Sequence, residues 1–171
     1  MLCDFVIPVP AVAQPRQGFV ARFSQKTGRH HSVPFKNPKH PVHAYRDEVL
    51  ARFRLAKPTG WPTDEHTAYR LLVLIVQAAP GRLPKKRAYR PSNTKPDLDN
   101  LVKSIKDALK GEAWYDDGRV YDSRQVKVYA APGDAPCVRV LIEATDARRD
   151  LSAADIATAV TVWKTESRST V

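Results

Sequence analysis

The sequence predicts one domain of the α/β (α+β) class, in which strands and helices share a single core. The chain has 171 residues, 43% of them apolar, which fits one domain and is enough to bury a core. Residues 71–76 are continuously apolar, which is typical of a central strand covered on both faces. Residues 98–109 place apolar side chains at spacings of three and four, which predicts an amphipathic helix.

The elements before the central strand follow from local patterns and turn residues. Weak alternation of β-formers ending at Pro8 predicts a first strand, and a turn at Thr27 and Gly28 between two apolar runs predicts a hairpin. Apolar residues at helical spacing, stopped by Pro58 and Gly60, predict a helix. The predicted order is a strand at 3–9, a loop at 11–16, hairpin arms at 19–23 and 32–35, a helix at 42–57 and a strand at 67–78.

A long loop is predicted for residues 79–96, which contain four prolines, six lysines or arginines and no acid. Loops of this length in compact domains are usually functional or disordered. After the amphipathic helix, which Gly111 ends, the pattern predicts strands at 119–131 and 138–144 and a last helix at 151–166. These elements divide the chain into a core domain at 1–145 and a C-terminal helical extension at 146–171.

The charge of the chain narrows its class of partner. A formal net charge of +10 favours a polyanionic ligand such as nucleic acid. The longest apolar run is far too short to span a membrane, and the first residues lack the features of a signal peptide. Cys3 and Cys137 are isolated, so no disulfide framework is expected. We therefore expect a cytoplasmic protein that binds nucleic acid.

Two aspartates precede the amphipathic helix at positions where they can act together. Asp97 and Asp99 lie where the chain changes from extended to helical, and residues two apart in an extended segment point the same way. One reading is helix capping and a favourable interaction with the helix dipole. The other is a metal site, because a cap requires only one acid and two are present. The local pattern leaves both readings open.

A second acid pair, Asp116 and Asp117, follows the helix in a turn that contains Gly118. If one of these carboxylates meets Asp97 and Asp99, three carboxylates surround one point, which suits Mg²⁺. Lys103, one turn after Asp99, would then offer a fixed positive charge to a phosphate. The alternative for the charged residues of this helix is a set of i,i+4 ion pairs, each worth about 0.2–0.5 kcal/mol.

The block from 96 to 111 reads P-D-x-D-N-x-x-K-x-x-x-D-A-L-x-G and is followed by Asp116, Asp117 and Val120. This block resembles the RusA family of Holliday junction resolvases. The opening Phe5-Val-Ile-Pro-Val-Pro and the later Pro15-Arg16 are also similar to that family's first strand and basic loop. The resemblance covers residues 3–144 and is specific only in the block from 95 to 120.

The resemblance implies a mixed β-sheet with flanking helices, in a nuclease domain that occupies residues 1–145. It also implies a homodimer that binds four-way DNA junctions and makes paired symmetric nicks with Mg²⁺, or with Mn²⁺ in its place. Carried over by position, Asp97, Asp99 and Asp117 match the family's essential acids, and Lys103 matches its catalytic-site lysine. Such resolvases serve DNA recombination and repair, often in bacteria or phages.

Cations of the predicted loops complete the expected DNA-binding surface, because lysine and arginine neutralise backbone phosphates. The candidates for this role are Arg16, Lys85, Lys86, Arg87, Arg90 and Lys95. Two other functions fit the same composition. One is a non-catalytic nucleic-acid-binding protein whose acids only stabilise the helix. The other is a nuclease that prefers forks or flaps to junctions.

Overall fold

The computed structural model describes residues 1–15, 18–35, 37–81 and 89–148. Within these ranges the chain forms seven strands and two α-helices, followed after α2 by a one-turn 3₁₀ helix. The strands are β1 Leu2–Ile7, β2 Gly18–Ser24, β3 Arg29–Phe35, β4 Thr67–Gln77, β5 Arg90–Pro91, β6 Val120–Tyr129 and β7 Cys137–Asp146. The helices are α1 Val42–Ala56, α2 Leu98–Leu109 and the 3₁₀ turn Asp117–Arg119. The predicted α/β class is therefore confirmed.

Five strands form one sheet in the order β1–β7–β4–β6–β5, with β4 at its centre. β4 runs parallel to β6, and the other neighbouring strands are antiparallel. Parallel neighbours require a crossover connection, and the one between β4 and β6 contains both β5 and α2. The hairpin β2–β3 is a separate two-stranded sheet. Both aspartate pairs, at 97 and 99 and at 116 and 117, therefore lie in the connection between β4 and β6.

The core lies between the two helices and one face of the sheet. Alternate residues of β4 and the apolar stripe of α2 supply much of it, and each such side chain contributes about 1.5–3 kcal/mol relative to exposure. The fully or almost fully buried members of these two elements are Tyr69, Leu71, Val73 and Ile75 in β4 and Leu101, Val102, Ile105 and Leu109 in α2. The predicted helical stripe is therefore the face that packs.

The opposite face of the sheet, here called the open face, is only partly covered within the described part of the chain. On this face Val76 is buried and Leu72 half-buried, while Leu74, Val126 and Val6 are 38%, 45% and 46% exposed. The register places Leu74 beside Val126 on β6, and beside Arg139, which pairs with Val6. Among the described residues, the prediction that β4 is covered on both faces is wrong at Leu74, which is exposed, and correct at Val76, which is buried. Residues 71–76 are continuously apolar because the centre of the open face is itself apolar.

Most predicted boundaries agree with the structure within a few residues. The strands predicted at 3–9, 119–131 and 138–144 are β1, β6 and β7, and the helix predicted at 42–57 is α1. The predicted 79–96 loop contains the two-residue strand β5, which pairs with β6. The predicted helix at 151–166, and with it almost all of the 146–171 extension, lies outside the described residues.

Candidate metal and nucleic-acid site

Asp97 and Asp99 stand at the first turn of α2. Asp97 is the N-cap residue, with φ −65° and ψ 145°, yet its carboxylate accepts no capping hydrogen bond. Both side chains are exposed, and within the described part of the chain neither makes a hydrogen bond or an ion pair. The capping interpretation therefore fails for Asp97. The pair presents free carboxylate oxygens to solvent at the positive end of the helix dipole, where negative charge is stabilised.

Lys103 lies one turn further along α2 and is also exposed. Among the described residues it has no ionic or hydrogen-bonding partner. The alternative of i,i+4 ion pairs along α2 is not what the structure contains. Asp107 instead pairs with Arg46 of α1 at 2.5 Å, and Lys110 pairs with Asp116 in the following turn at 2.6 Å. Lys103 is thus left available for a negative charge that the described part of the chain does not supply.

The second acid pair is engaged in local structure. Asp116 accepts hydrogen bonds from Lys110 Nζ at 2.6 Å and from the amide of Gly118 at 2.9 Å. The hydrogen bond from Lys110 is the main reason that the pKa of Asp116 lies below its usual value, and the Gly118 amide lowers it further. Asp117 Oδ1 accepts a hydrogen bond from the indole Nε1 of the buried Trp114 at 2.9 Å. These bonds fix the turn that leads from α2 into β6.

The two acid pairs lie at opposite ends of α2. A helix of 12 residues is about 18 Å long, so one divalent ion cannot touch Asp97 and Asp117 of the same chain. Among the described residues, no three histidine, cysteine, aspartate or glutamate side chains are arranged to hold a metal ion. This corrects the expectation that Asp97, Asp99 and Asp117 close on one ion within one chain. Asp97 and Asp99, both at the start of α2, remain the candidate metal ligands.

The loop after β1 lies along the start of α2. Ser104 Oγ donates a hydrogen bond to the carbonyl of Val12 at 2.7 Å, and the Gln14 amide donates one to the carbonyl of Asn100 at 3.0 Å. Gln14 is also contacted by Arg46 Nη2, the group that pairs with Asp107. The loop therefore contacts Asn100, the residue that follows Asp99. The contact is made by Gln14, two residues before the predicted DNA contact Arg16.

Two of the predicted DNA contacts fall within the described residues. Arg90 is half-buried in β5, and Lys95 is exposed two residues before Asp97. Neither side chain makes a hydrogen bond or an ion pair in the described chain. Arg16, Lys85, Lys86 and Arg87 lie outside the described residues. Lys95 therefore places a cation without a side-chain partner in the described chain two residues before the acid pair.

Sequence reasoning missed the contacts that hold the acidic segment in place. Arg46 bonds Asp107 across 61 positions, and Lys127 of β6 bonds the segment before Asp97 across 31 to 33 positions. No local pattern distinguishes either residue from other surface cations, because such contacts exist only after α1, α2 and the sheet have packed.

The described chain contains no helix of the length and apolarity that crossing a membrane requires. By fold and site it belongs to the class of small, basic α/β proteins with a free aspartate pair at a helix start.

The particular family follows from comparison with known proteins. Residues 8–143 match the family described as "Endodeoxyribonuclease RusA", and the chain belongs to this family. It is also 41% identical over 63 residues to the "Uncharacterized protein YqaN" of Bacillus subtilis (strain 168). That match covers 37% of this chain and only 42% of the relative.

Proposed function

We propose that this protein is an endodeoxyribonuclease that resolves four-way DNA junctions by Mg²⁺-dependent hydrolysis, with paired symmetric nicks. The observation that carries the proposal is the exposed, unpartnered pair Asp97 and Asp99, with the free ammonium of Lys103 one turn away. Membership of the RusA family supports the nuclease class and branched DNA as the substrate. The free acids are difficult to explain in a protein that only binds DNA, because they repel phosphates.

The acid pair fits Mg²⁺, a hard cation that proteins commonly bind through one or two carboxylates while water and substrate phosphates complete its shell. Mn²⁺ has the same preference for oxygen ligands. When bound, the ion would supply an activated water and polarise the scissile phosphate. Asp97 and Asp99 would hold the ion, and Lys103 would stabilise negative charge on the phosphoryl oxygens in the transition state. Lys95 and Arg90 would neutralise flanking phosphates.

The expected products carry 5′-phosphate and 3′-hydroxyl ends. Asp117, the third acid that the family resemblance implies, would reach this site only from a second chain, since its own α2 separates it from Asp97. The expected setting is the cytoplasm of a bacterium or a phage-infected cell, in DNA recombination or repair.

The test compares synthetic four-way junction, fork, flap and linear duplex DNA, each incubated with the protein in Mg²⁺, in Mn²⁺ or in EDTA. We expect paired nicks in the junction with either metal and none in EDTA. Asp99→Asn should bind the junction as tightly as the wild type and cut it at least about 100-fold more slowly, because removing transition-state charge stabilisation of this kind costs several kcal/mol.

The two alternatives give different results in the same assay. Junction binding without cleavage, unchanged in Asp99→Asn, would identify a non-catalytic binding protein. Faster cutting of forks or flaps than of junctions would keep the nuclease and reject the junction as its preferred substrate.

Paired nicks require two sites, and we propose that the second comes from a homodimer formed through the open face of the sheet. Exposed apolar side chains that lie together on one face can mark an interface, and Leu74 and Val126 form such an apolar patch on neighbouring strands. Leu74→Glu places a charge at the centre of the patch and should shift the protein from dimer to monomer in analytical ultracentrifugation. Leu55→Glu is the matched control, because Leu55 is 82% exposed on α1, away from this face. A wild type that sediments as a monomer would reject the interface.

A further inference from the structure

The segment that leads into Asp97 is held by a lysine from the neighbouring strand. Lys127 Nζ donates hydrogen bonds to the carbonyl oxygens of Thr94 at 2.6 Å and Pro96 at 2.9 Å. In the register of the sheet Lys127 is paired with Ile75, a buried residue on the helix side of β4. The Lys127 side chain therefore lies on the helix side of the sheet, and its ammonium contacts the segment that leads into α2.

The ammonium of Lys127 is not part of an ion pair in the described chain. Its contacts are main-chain carbonyls, and a hydrogen bond from a charged donor is roughly twice as strong as one between neutral groups. A half-buried cation that binds two carbonyls of one short segment fixes the path of that segment. It does so more strongly than a surface lysine that points into water.

Neighbouring contacts hold the same segment at its other end. The Ser92 amide donates a hydrogen bond to the carbonyl of Lys127 at 3.0 Å, and Tyr129 OH bonds Thr94 Oγ1 at 2.9 Å. β5 pairs with the last two residues of β6. These contacts keep the segment on the sheet, and Lys127 extends the hold to Pro96, the residue directly before Asp97.

We propose that Lys127 is a positioning residue that aims the Asp97 carboxylate at the point shared with Asp99. The inference rests on the proposed metal site. Asp99 is fixed by the helix, but Asp97 has no side-chain partner in the described chain, so its direction depends on the backbone before it. Ligands must be held within about 0.5 Å of the productive geometry, and loss of residues that orient metal ligands typically costs 10- to 100-fold in metal affinity.

The test measures Mn²⁺ binding to the DNA-free protein by isothermal titration calorimetry, with Asp97→Asn as the blank. Lys127→Met keeps the length of the side chain and removes both hydrogen bonds, so the Kd for Mn²⁺ should rise about 10-fold or more. Lys127→Arg, which can still donate to both carbonyls, should restore most of the affinity. Tyr129→Phe, which loses the hydroxyl contacts to Thr94 and Ser92 but keeps both hydrogen bonds of Lys127, should have a smaller effect in the same direction.

Lys57→Met serves as the matched control, because Lys57 is also half-buried but lies over the Phe53 ring at the far end of α1. Hydrogen exchange of residues 94–100 should accelerate in Lys127→Met and stay unchanged in Lys57→Met. A lower melting temperature in Lys127→Met with an unchanged Kd would overturn the positioning role and leave Lys127 as a purely structural residue.

Failure of the metal site itself would look different. If the wild type shows no Mn²⁺ binding that depends on Asp97, the proposed metal site is rejected, and the positioning role of Lys127 is rejected with it.

Discussion

The two ends of helix α2 each carry a pair of aspartates, but the surroundings of the two pairs differ. At the C-terminal end, Asp116 bonds Lys110 and Gly118, and Asp117 bonds the indole of Trp114. At the N-terminal end, Asp97 and Asp99 are exposed and have no partner in the described chain. Two acids close in sequence are therefore not enough to indicate a metal site. What distinguishes the candidate ligands is that their oxygens are free.

The two pairs differ because the chain is held in place in different ways at the two ends of α2. The C-terminal end must turn the chain into β6, and side-chain hydrogen bonds from the acids close that turn. The main chain at the N-terminal end is already held by hydrogen bonds from the Lys127 ammonium of β6 and from the Gln14 amide in the loop after β1. In the described chain its acid side chains take no part in these contacts, and their oxygens remain available for a ligand.

The largest expected difference between the ends is in catalysis. Asp97→Asn should reduce junction cleavage at least about 100-fold, since the metal ion in the proposed site would contribute several kcal/mol to the reaction. The melting temperature should stay within a degree or so of the wild type, because surface substitutions away from a bonded partner change stability by less than about 0.5 kcal/mol. Single-turnover cleavage and differential scanning calorimetry measure the two quantities. An Asp97→Asn variant that fails to fold would contradict the conclusion that the acids at the start of α2 do not hold the structure together.

A smaller effect is expected at Lys103. Lys103→Met should slow single-turnover cleavage about 10- to 100-fold with nearly unchanged junction affinity, as expected for a charge that acts mainly in the transition state. Lys106→Met is the matched control on the same helix and should cut at the wild-type rate. Equal losses in both variants would indicate a general electrostatic contribution of the helix to DNA binding.

At the other end of α2, the expected effect is on stability. Asp117→Ala leaves the buried indole Nε1 of Trp114 without its acceptor, which should lower the free energy of unfolding by about 1–3 kcal/mol. Asp117→Asn keeps an oxygen that can accept this bond, so most of the stability should return in urea denaturation. If a stably folded Asp117→Asn loses cleavage as Asp97→Asn does, Asp117 completes the site from a second chain.

The smallest effect concerns Asp116 and pH. The hydrogen bond from Lys110 lowers the pKa of Asp116 in the folded protein, so the charged form stabilises the fold above the unfolded pKa of about 3.8. This stabilisation is lost as the pH falls through the lower folded value. The melting temperature of Asp116→Asn should thus lie slightly below the wild type at neutral pH and converge with it in acid. Because Asp116 is exposed, added salt should shrink the difference.

Local patterns were sufficient for most elements of the fold, but not for the two-residue strand β5. The spacing of Leu101, Ile105 and Leu109 predicts the buried face of α2, and Gly111, with φ +84°, stands where the helix was expected to end. These features depend on neighbours within one or two turns. The free acid pair was also recognisable, because its place at the helix start is set by the same local pattern.

The covering of β4 could not be predicted in the same way. Leu72 and Leu74 belong to the apolar run of residues 71–76. From the sequence, an apolar residue on an exposed face of a sheet cannot be distinguished from one that is covered by a second layer. The packing of α1 and α2 decides which face of the sheet the helices cover. The sequence of residues 71–76 does not contain that information.

The sequence by itself determined the class of fold, the helix that carries the acids and the family to which the chain belongs, because each is encoded in residues that are close along the chain. Only the tertiary structure separated the two acid pairs, assigned Asp107 to Arg46 and brought Lys127 beneath Pro96. The physical reason is that the direction of a side chain and the identity of its distant partner are set by how helices and strands pack. Residue spacing alone does not contain that information.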